Sequence, residues 1–313
     1  LAMEGKKHWQ HRNLVSAAFK SRSLQRWEPE IVRPVVDALI DEFIDDGEAD
    51  LVKQFTFEFP TRVITRLLGL PEEDLTWFRQ RAIELISYHI RYQRAFEASA
   101  ALKDYFLQQI ELRRSKPTED IIGDLVAAEI DGEKLTDEAI YSFLRLLLPA
   151  GLETTYRSSG NLIYLLLTHP DQFRAVQGDR ELVAPAIEEG LRYETPLTTV
   201  QRSANADTEV EGVAIPKGAV IDVCIGSANR DEKRWELSDQ FDIFRNRLPH
   251  ISFAAGEHTC MGLHLARMET RVAFETLLDR ITDIELLTED NPHIWGQPFR
   301  SPTAIPVRFT AVG

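Results

Sequence analysis

Residues 252–267 read S-F-A-A-G-E-H-T-C-M-G-L-H-L-A-R, with Cys260 near the centre and Gly256 and Gly262 on either side of it. An amphipathic run, Leu263 to Leu278, follows directly. A glycine-permissive loop that enters a helix N-terminus suits a thiolate. Backbone N–H groups there point at the sulfur, and the helix dipole favours its negative charge. Taken by itself, Cys260 reads first as a small buried apolar residue. The choice rests on its surroundings.

The chain around this stretch has ordinary globular chemistry. Its 313 residues allow one or two domains. With 43% hydrophobic and 27% charged residues there is enough apolar matter for a large core. Lys plus Arg total 36 against 50 Asp plus Glu, and a net charge of −14 argues against a nucleic-acid partner. Two cysteines give no disulfide framework, which points to a reducing compartment, the cytoplasm. No apolar run of about 20 residues is present, so nothing here is expected to span a membrane. No signal-peptide pattern opens the chain either.

Upstream of the loop the pattern is helical. His8 and Arg12 are four apart and share a helical face. Alone, such a pair reads as a solvated polar surface. From Trp27 to Arg114 helix follows helix, with Gly47 as a stop and Gly69-Leu70-Pro71 as a turn. Two helices are expected between Asp74 and Phe106, with Tyr88, His89, Tyr92 and Phe96 near their join. Thr136 reads as an N-cap, and an apolar pattern then runs from Ile140 to Leu167, a helix of about 45 Å. Its middle is irregular: Pro149 lacks an N–H and frees the carbonyl of Arg145. Ala150 and Gly151 are small, and Glu153, Thr154 and Thr155 are polar. A helix broken in this way at its centre marks a site, although a helix crossing with a satisfied Thr would look the same.

Val183 to Tyr193 predicts another helix, in which Glu189 and Arg192 are three apart. On a surface that pair would be worth little. Beyond it the pattern changes to short strands over 198–204, 209–213 and 219–223, with turns at Glu211-Gly212 and Pro216-Lys217-Gly218. Cys224 has apolar strand neighbours and no nearby His, so it reads as an inert core thiol. Ile305 to Phe309 alternates as a further strand. The expected fold class is mainly α with small β-sheets, as one domain over 1–313: helix-rich over 1–195, mixed over 196–313.

The order Phe253, Gly256, His258, Cys260, Gly262, Leu265, Ala266 resembles the haem-binding loop of the cytochrome P450 family. The resemblance implies that Cys260 is the thiolate ligand of haem iron. One departure is Ala254, where the family has Gly; Ala tolerates positive φ poorly, so an altered loop backbone is expected. His8 and Arg12 match the family's propionate-binding His-x-x-x-Arg, Arg202 its strand Arg, and His258 is expected to bind a propionate too. Ala150-Gly151-Leu152-Glu153-Thr154-Thr155 is similar to the oxygen-activation motif. There small residues leave room for O₂, the Thr154 hydroxyl hydrogen-bonds the oxygen or orders a water, and Glu153 relays protons. Thr155 is the lesser candidate. Glu189 and Arg192 match the buried Glu-x-x-Arg, with Arg245 as expected third partner and a structural role in haem incorporation. Leu147, Leu197, Val200 and Phe299 are candidate pocket residues, and Arg300 stands beside the last of them.

The resemblance runs in family order along essentially the whole chain. It implies the fold of that family without its N-terminal segment, since members have a further stretch upstream. It also implies a haem b monooxygenase that inserts one oxygen atom from O₂ into a hydrophobic small molecule such as a terpene, steroid, fatty acid or polyketide. Electrons would come from NAD(P)H through a reductase and a ferredoxin. Because ferredoxins are acidic, a basic patch that includes Lys6, Lys7 and Arg267 is expected to receive the donor. Two alternatives differ in kind. A peroxygenase driven by H₂O₂ would lack the acid–alcohol pair that Glu153 and Thr154 supply. A non-catalytic haem-binding fragment would lose thiolate ligation, and a carbon monoxide difference spectrum distinguishes it.

Overall fold

The computed structural model describes residues 3–19, 21–87, 91–130, 132–246, 248–287 and 293–312. Tyr88 and His89 lie outside them. Helices dominate the first two thirds: α1 (Gly5–Ser16), α2 (Ser21–Trp27), α3 (Arg33–Asp41), α4 (Glu58–Leu67), α5 (Leu75–Ile86), α6 (Tyr92–Ser115) and α7 (Ile121–Ala127). The apolar period explains them: α3, for example, buries Val35, Val36, Leu39 and Ile40 on one face. Gly47 then turns the chain at φ 69°, a left-handed conformation that costs glycine no Cβ clash.

Helix α8 (Asp137–Thr168) is the axis of the molecule, 32 residues long. Thr136 caps it, Oγ1 accepting from the N–H of Ala139 at 3.2 Å, and Asp137 and Glu138 lie at its positive end. It ends where His169 leads into α9 (Pro170–Gly178). The helix runs through Pro149 as one element, so the expected irregularity does not divide it. Around it pack α4, α6, α10 (Val183–Tyr193) and α12 (Leu263–Arg280). One apolar core extends from Leu14 to Phe309.

The strands are short. β1 (Glu48–Asp50), β8 (Ile281–Leu286) and β11 (Pro306–Ala311) form an antiparallel sheet in the order β1-β11-β8, joining the early helices to the end of the chain. The other pairs are β2 (Glu129–Ile130) with β3 (Glu133–Lys134), β4 (Thr199–Ser203) with β7 (Val220–Cys224), β5 (Thr208–Val210) with β6 (Val213–Ile215), and β9 (Ile294–Trp295) with β10 (Ser301–Pro302). The turn expected at Glu211-Gly212 divides the stretch expected as a strand over 209–213 into two strands. Glu211 and Gly212 both take positive φ, a two-residue hairpin loop that closes Val210 onto Val213. Between β7 and the region before α12, a short helix, α11 (Ile225–Ala228), opens a long irregular segment.

Cys224 is exposed, which corrects the expectation of a core thiol. Apolar neighbours imply burial only if a second layer covers the strand. Val220 and Val223, on the same strand, are 66% and 36% exposed.

Glu269, on α12, is 5% exposed. Burial alone pushes its carboxyl up to about 8, from an ordinary 4.5. The folded chain therefore keeps a proton across that window that the unfolded chain releases, so this group makes stability fall as pH rises from 4.5 towards 8. Glu269→Gln is expected to change Tm little near the lower end of the window. At the upper end it is expected to stabilise by a few kcal/mol, at about 1.4 kcal/mol per pH unit. Thermal melts at both ends test this, and an equal effect at both would contradict it.

Candidate active site

The loop before α12 closes on itself. The Cys260 N–H donates to the carbonyl of Phe253 at 2.8 Å, and the Thr259 N–H and Oγ1 both donate to that of Gly256, at 3.0 and 2.8 Å. Gly256 takes φ 78° and Ala254 takes φ 59°. Ala254 therefore adopts the left-handed conformation despite its Cβ, at a cost of about 1–2 kcal/mol. A Cβ built on Gly256 or Gly262 meets nothing within 4 Å, so space is open beside the loop.

Cys260 is exposed in this space. Enough protein still crowds it that burial pushes the thiol pKa up, against the Gly262 N–H and the charges of Arg12 and Arg267. The sulfur is thus both accessible and partly desolvated.

Basic groups from three parts of the chain gather there. Arg12 on α1 donates to the Thr259 carbonyl at 2.5 Å. The His8 and His258 rings are 4.2 Å apart. Burial first, then the neighbouring His8 and Arg202, lowers the pKa of His258. Arg202, on β4, is exposed and bonds only the adjacent Gln201 carbonyl among the described residues. None of these four has a carboxylate partner among the described residues. An uncompensated basic cluster of this kind is built for an anion from outside the chain. Two carboxylates beside one cysteine donor fit haem, which asks the protein for a single axial sulfur and partners for its propionates.

Along α8, Ala150 is exposed, while Gly151 and Thr154 are half-buried in an otherwise buried stretch. Thr154 Oγ1 donates to the Ala150 carbonyl at 2.7 Å. Glu153 points elsewhere. It is 8% exposed and accepts from Arg157 Nε at 2.9 Å and Nη2 at 2.5 Å. Arg157 in turn donates to Ser301 Oγ at 2.9 Å and lies over the rings of Tyr156 and Phe299. Burial, then the charge of Glu153, pushes the Tyr156 hydroxyl up to about 12. The sequence reading missed Arg157, although its spacing of four from Glu153 on a helix was a usable signal.

The remaining candidates fall into two groups. Glu189, Arg192 and Arg245 are brought together, the first two buried and Arg245 half-buried. Arg192 meets Glu189 in two bonds of 2.8 Å, and Arg245 Nε reaches the same carboxylate at 3.3 Å. Arg192 also donates to the carbonyls of Asn229, Ser238 and Gln240. The pocket candidates are less uniform. Leu197 and Phe299 form a β-bridge and Val200 is half-buried on β4, whereas Leu147 is packed in the core. Arg300 is paired with Glu194 at 3.0 Å. Tyr92 and Phe96 are 74% and 64% exposed at the start of α6.

The expected basic patch needs a correction. Lys6 and Lys7 are exposed, but Arg267 makes two bonds to Glu188, at 2.6 and 2.8 Å, and is not a free surface cation. The partner is 79 residues away in sequence, beyond the reach of local pattern.

Comparison with known proteins converges on the same loop and fold. A family model described as Cytochrome P450 matches residues 78–293. The polyketide biosynthesis cytochrome P450 PksS of Bacillus subtilis is 36% identical over 297 residues, covering 94% of this chain and 73% of that protein. The cytochrome P450 monooxygenase PikC of Streptomyces venezuelae is 34% identical over 309 residues, covering 97% and 74%. The crystal structure of CYP109E1 from Bacillus megaterium in complex with testosterone superposes with a TM-score of 0.93 at 31% identity, covering 98% of this chain and 85% of that one. No described helix is long and apolar enough to cross a membrane. Since the match takes in the cysteine loop, the long central helix and most of the chain between them, this protein belongs to the cytochrome P450 family.

Proposed function

We propose that this chain oxygenates a hydrophobic small molecule of polyketide or steroid type, with Cys260 as the residue that would hold the haem iron and electrons delivered by a ferredoxin and its NAD(P)H reductase in the cytoplasm. As a cytochrome P450 it is a haem b monooxygenase. The observation that carries the residue assignment is the cluster of His8, Arg12, Arg202 and His258 beside an accessible cysteine, with no acidic partner among the described residues. The substrate class draws support from PksS, named for polyketide biosynthesis, and from the testosterone complex of CYP109E1. The half-buried apolar residues Leu197, Val200 and Phe299 suit such a molecule. We also read the 313 residues as one domain, because a single core joins Leu14 to Phe309.

Haem, when bound, supplies dioxygen activation and transfer of one oxygen atom to a C–H bond or alkene. The protein supplies position and protons. Cys260 would hold the group through sulfur, with the Gly262 N–H favouring its charge. Arg12, Arg202, His8 and His258 take the propionates, Arg with a planar fork suited to carboxylates. Ala150 and Gly151 keep side-chain bulk out of the cleft. Thr154 has its hydroxyl proton committed to the Ala150 carbonyl, which leaves its oxygen free to accept from a water and so to position one. Glu153, buried and paired with Arg157, would relay protons once that pair opens.

Thr154→Ala is expected to keep haem and the substrate-induced Soret shift. Most reducing equivalents then go to hydrogen peroxide, with product per NAD(P)H several-fold lower. Measuring both together tests the role, and fully coupled turnover in the variant would remove it.

A further inference from the structure

Arg267 lies seven residues beyond Cys260 on α12, and its surroundings are unusually constrained. Its guanidinium carbon stands 4.5 Å from the centre of the Phe253 ring, within range of a cation–π contact. Nε and Nη2 meet the two oxygens of Glu188, a fork-to-fork geometry. Glu188, on α10, also faces His250, whose Nε2 lies 3.3 Å from Oε2 outside hydrogen-bond geometry. His250 Nδ1 accepts from the Ser252 N–H at 3.2 Å. His250 is itself buried, its side chain 5% exposed. Although burial works against it, the pairing with Arg267 and His250 lowers the Glu188 carboxyl to about 2, so the carboxylate stays charged.

Phe253 is more than a stacking platform. Its carbonyl receives the Cys260 N–H, so the residue beneath the guanidinium also fixes the backbone around the sulfur. The positive charge of Arg267 is thereby fixed against the same loop that carries the sulfur. A fixed cation near a donor sulfur withdraws electron density from it, and the carboxylate behind the cation offsets part of this effect.

We propose that Arg267, locked by Glu188 and stacked on Phe253, is a positioning residue that sets the electron-donating power of the Cys260 sulfur. The inference rests on Cys260 being the iron ligand. It gives Arg267 a role in tuning the iron potential in place of donor docking.

The test is the midpoint potential of the haem-loaded protein, titrated against reference dyes, with the carbon monoxide spectrum as a check on ligation. Arg267→Gln is expected to shift the potential negative, and Glu188→Gln to shift it positive. Arg267→Lys, which keeps the charge, is expected to stay near the wild type, and the double Gln variant to fall between the two single ones. A purely structural role predicts no such opposition of sign. Unchanged potentials in both Gln variants, with thiolate spectra intact, would overturn the proposal while leaving Cys260 as ligand. A wild-type protein without a thiolate spectrum would overturn both. If Arg267→Gln fails to take up haem, the sign of the Glu188→Gln shift decides.

Discussion

Cys260→Ser is expected to reduce substrate oxygenation to the level of a protein-free control. Serine is nearly isosteric, so the loop keeps the Cys260-to-Phe253 backbone bond and the tight turn at Gly256. What changes is the donor. An alcohol stays protonated at neutral pH and lacks the soft, polarisable electron pair that favours O–O cleavage. The rest of the cleft does not contain the substituted atom, so His8, Arg12, Arg202 and His258 remain available to the propionates. The variant is therefore expected to bind some haem and to lose the thiolate spectrum. Turnover assays with reductase, ferredoxin and a turned-over substrate measure the loss. Substantial residual oxygenation would mean that a different residue carries the iron.

Arg192→Ala is expected to be the most destabilising single substitution, by about 3–5 kcal/mol. Arg192 is 1% exposed and spends its donors on Glu189 and on three backbone carbonyls of the segment between α11 and the cysteine loop. Removing it leaves Glu189 buried with only Arg245 as a cationic partner among the described residues, and takes a donor from the carbonyls of Asn229 and Ser238, while that of Gln240 keeps Arg245. The carbonyls belong to the irregular chain that leads to Phe253, so loss of stability is expected together with loss of haem uptake. Denaturant unfolding gives the first quantity and haem titration the second. A loss below about 1 kcal/mol would place the network among ordinary surface pairs.

These two effects were unequally visible in the sequence. The cysteine loop announces itself because its chemistry is local: glycines, a His and a Cys within a few residues. Helix α8 was legible for a similar reason. Thr136 and His169-Pro170 mark its ends, and the apolar period fills the space between. Arg192 was reachable only through a family resemblance, since Glu-x-x-Arg alone cannot say whether it is buried. Features that depend on a second layer or a distant partner escaped. Cys224 has the neighbours of a core strand but no covering layer among the described residues. Arg267 looked like a surface cation because Glu188 belongs to another helix. Glu269 stands in the polar positions of an amphipathic pattern, and only the packing of α3, α8 and α10 against α12 shows that it is buried. At Ala254 the local rule was right about the strain but wrong about what yields, since the residue takes positive φ.

The most direct test is the carbon monoxide difference spectrum of the reduced, haem-loaded 313-residue chain. The account predicts the red-shifted Soret band given by a thiolate opposite carbon monoxide, present in the wild type and absent in Cys260→Ser. A wild-type band at the shorter wavelength of a neutral or imidazole ligand would contradict it.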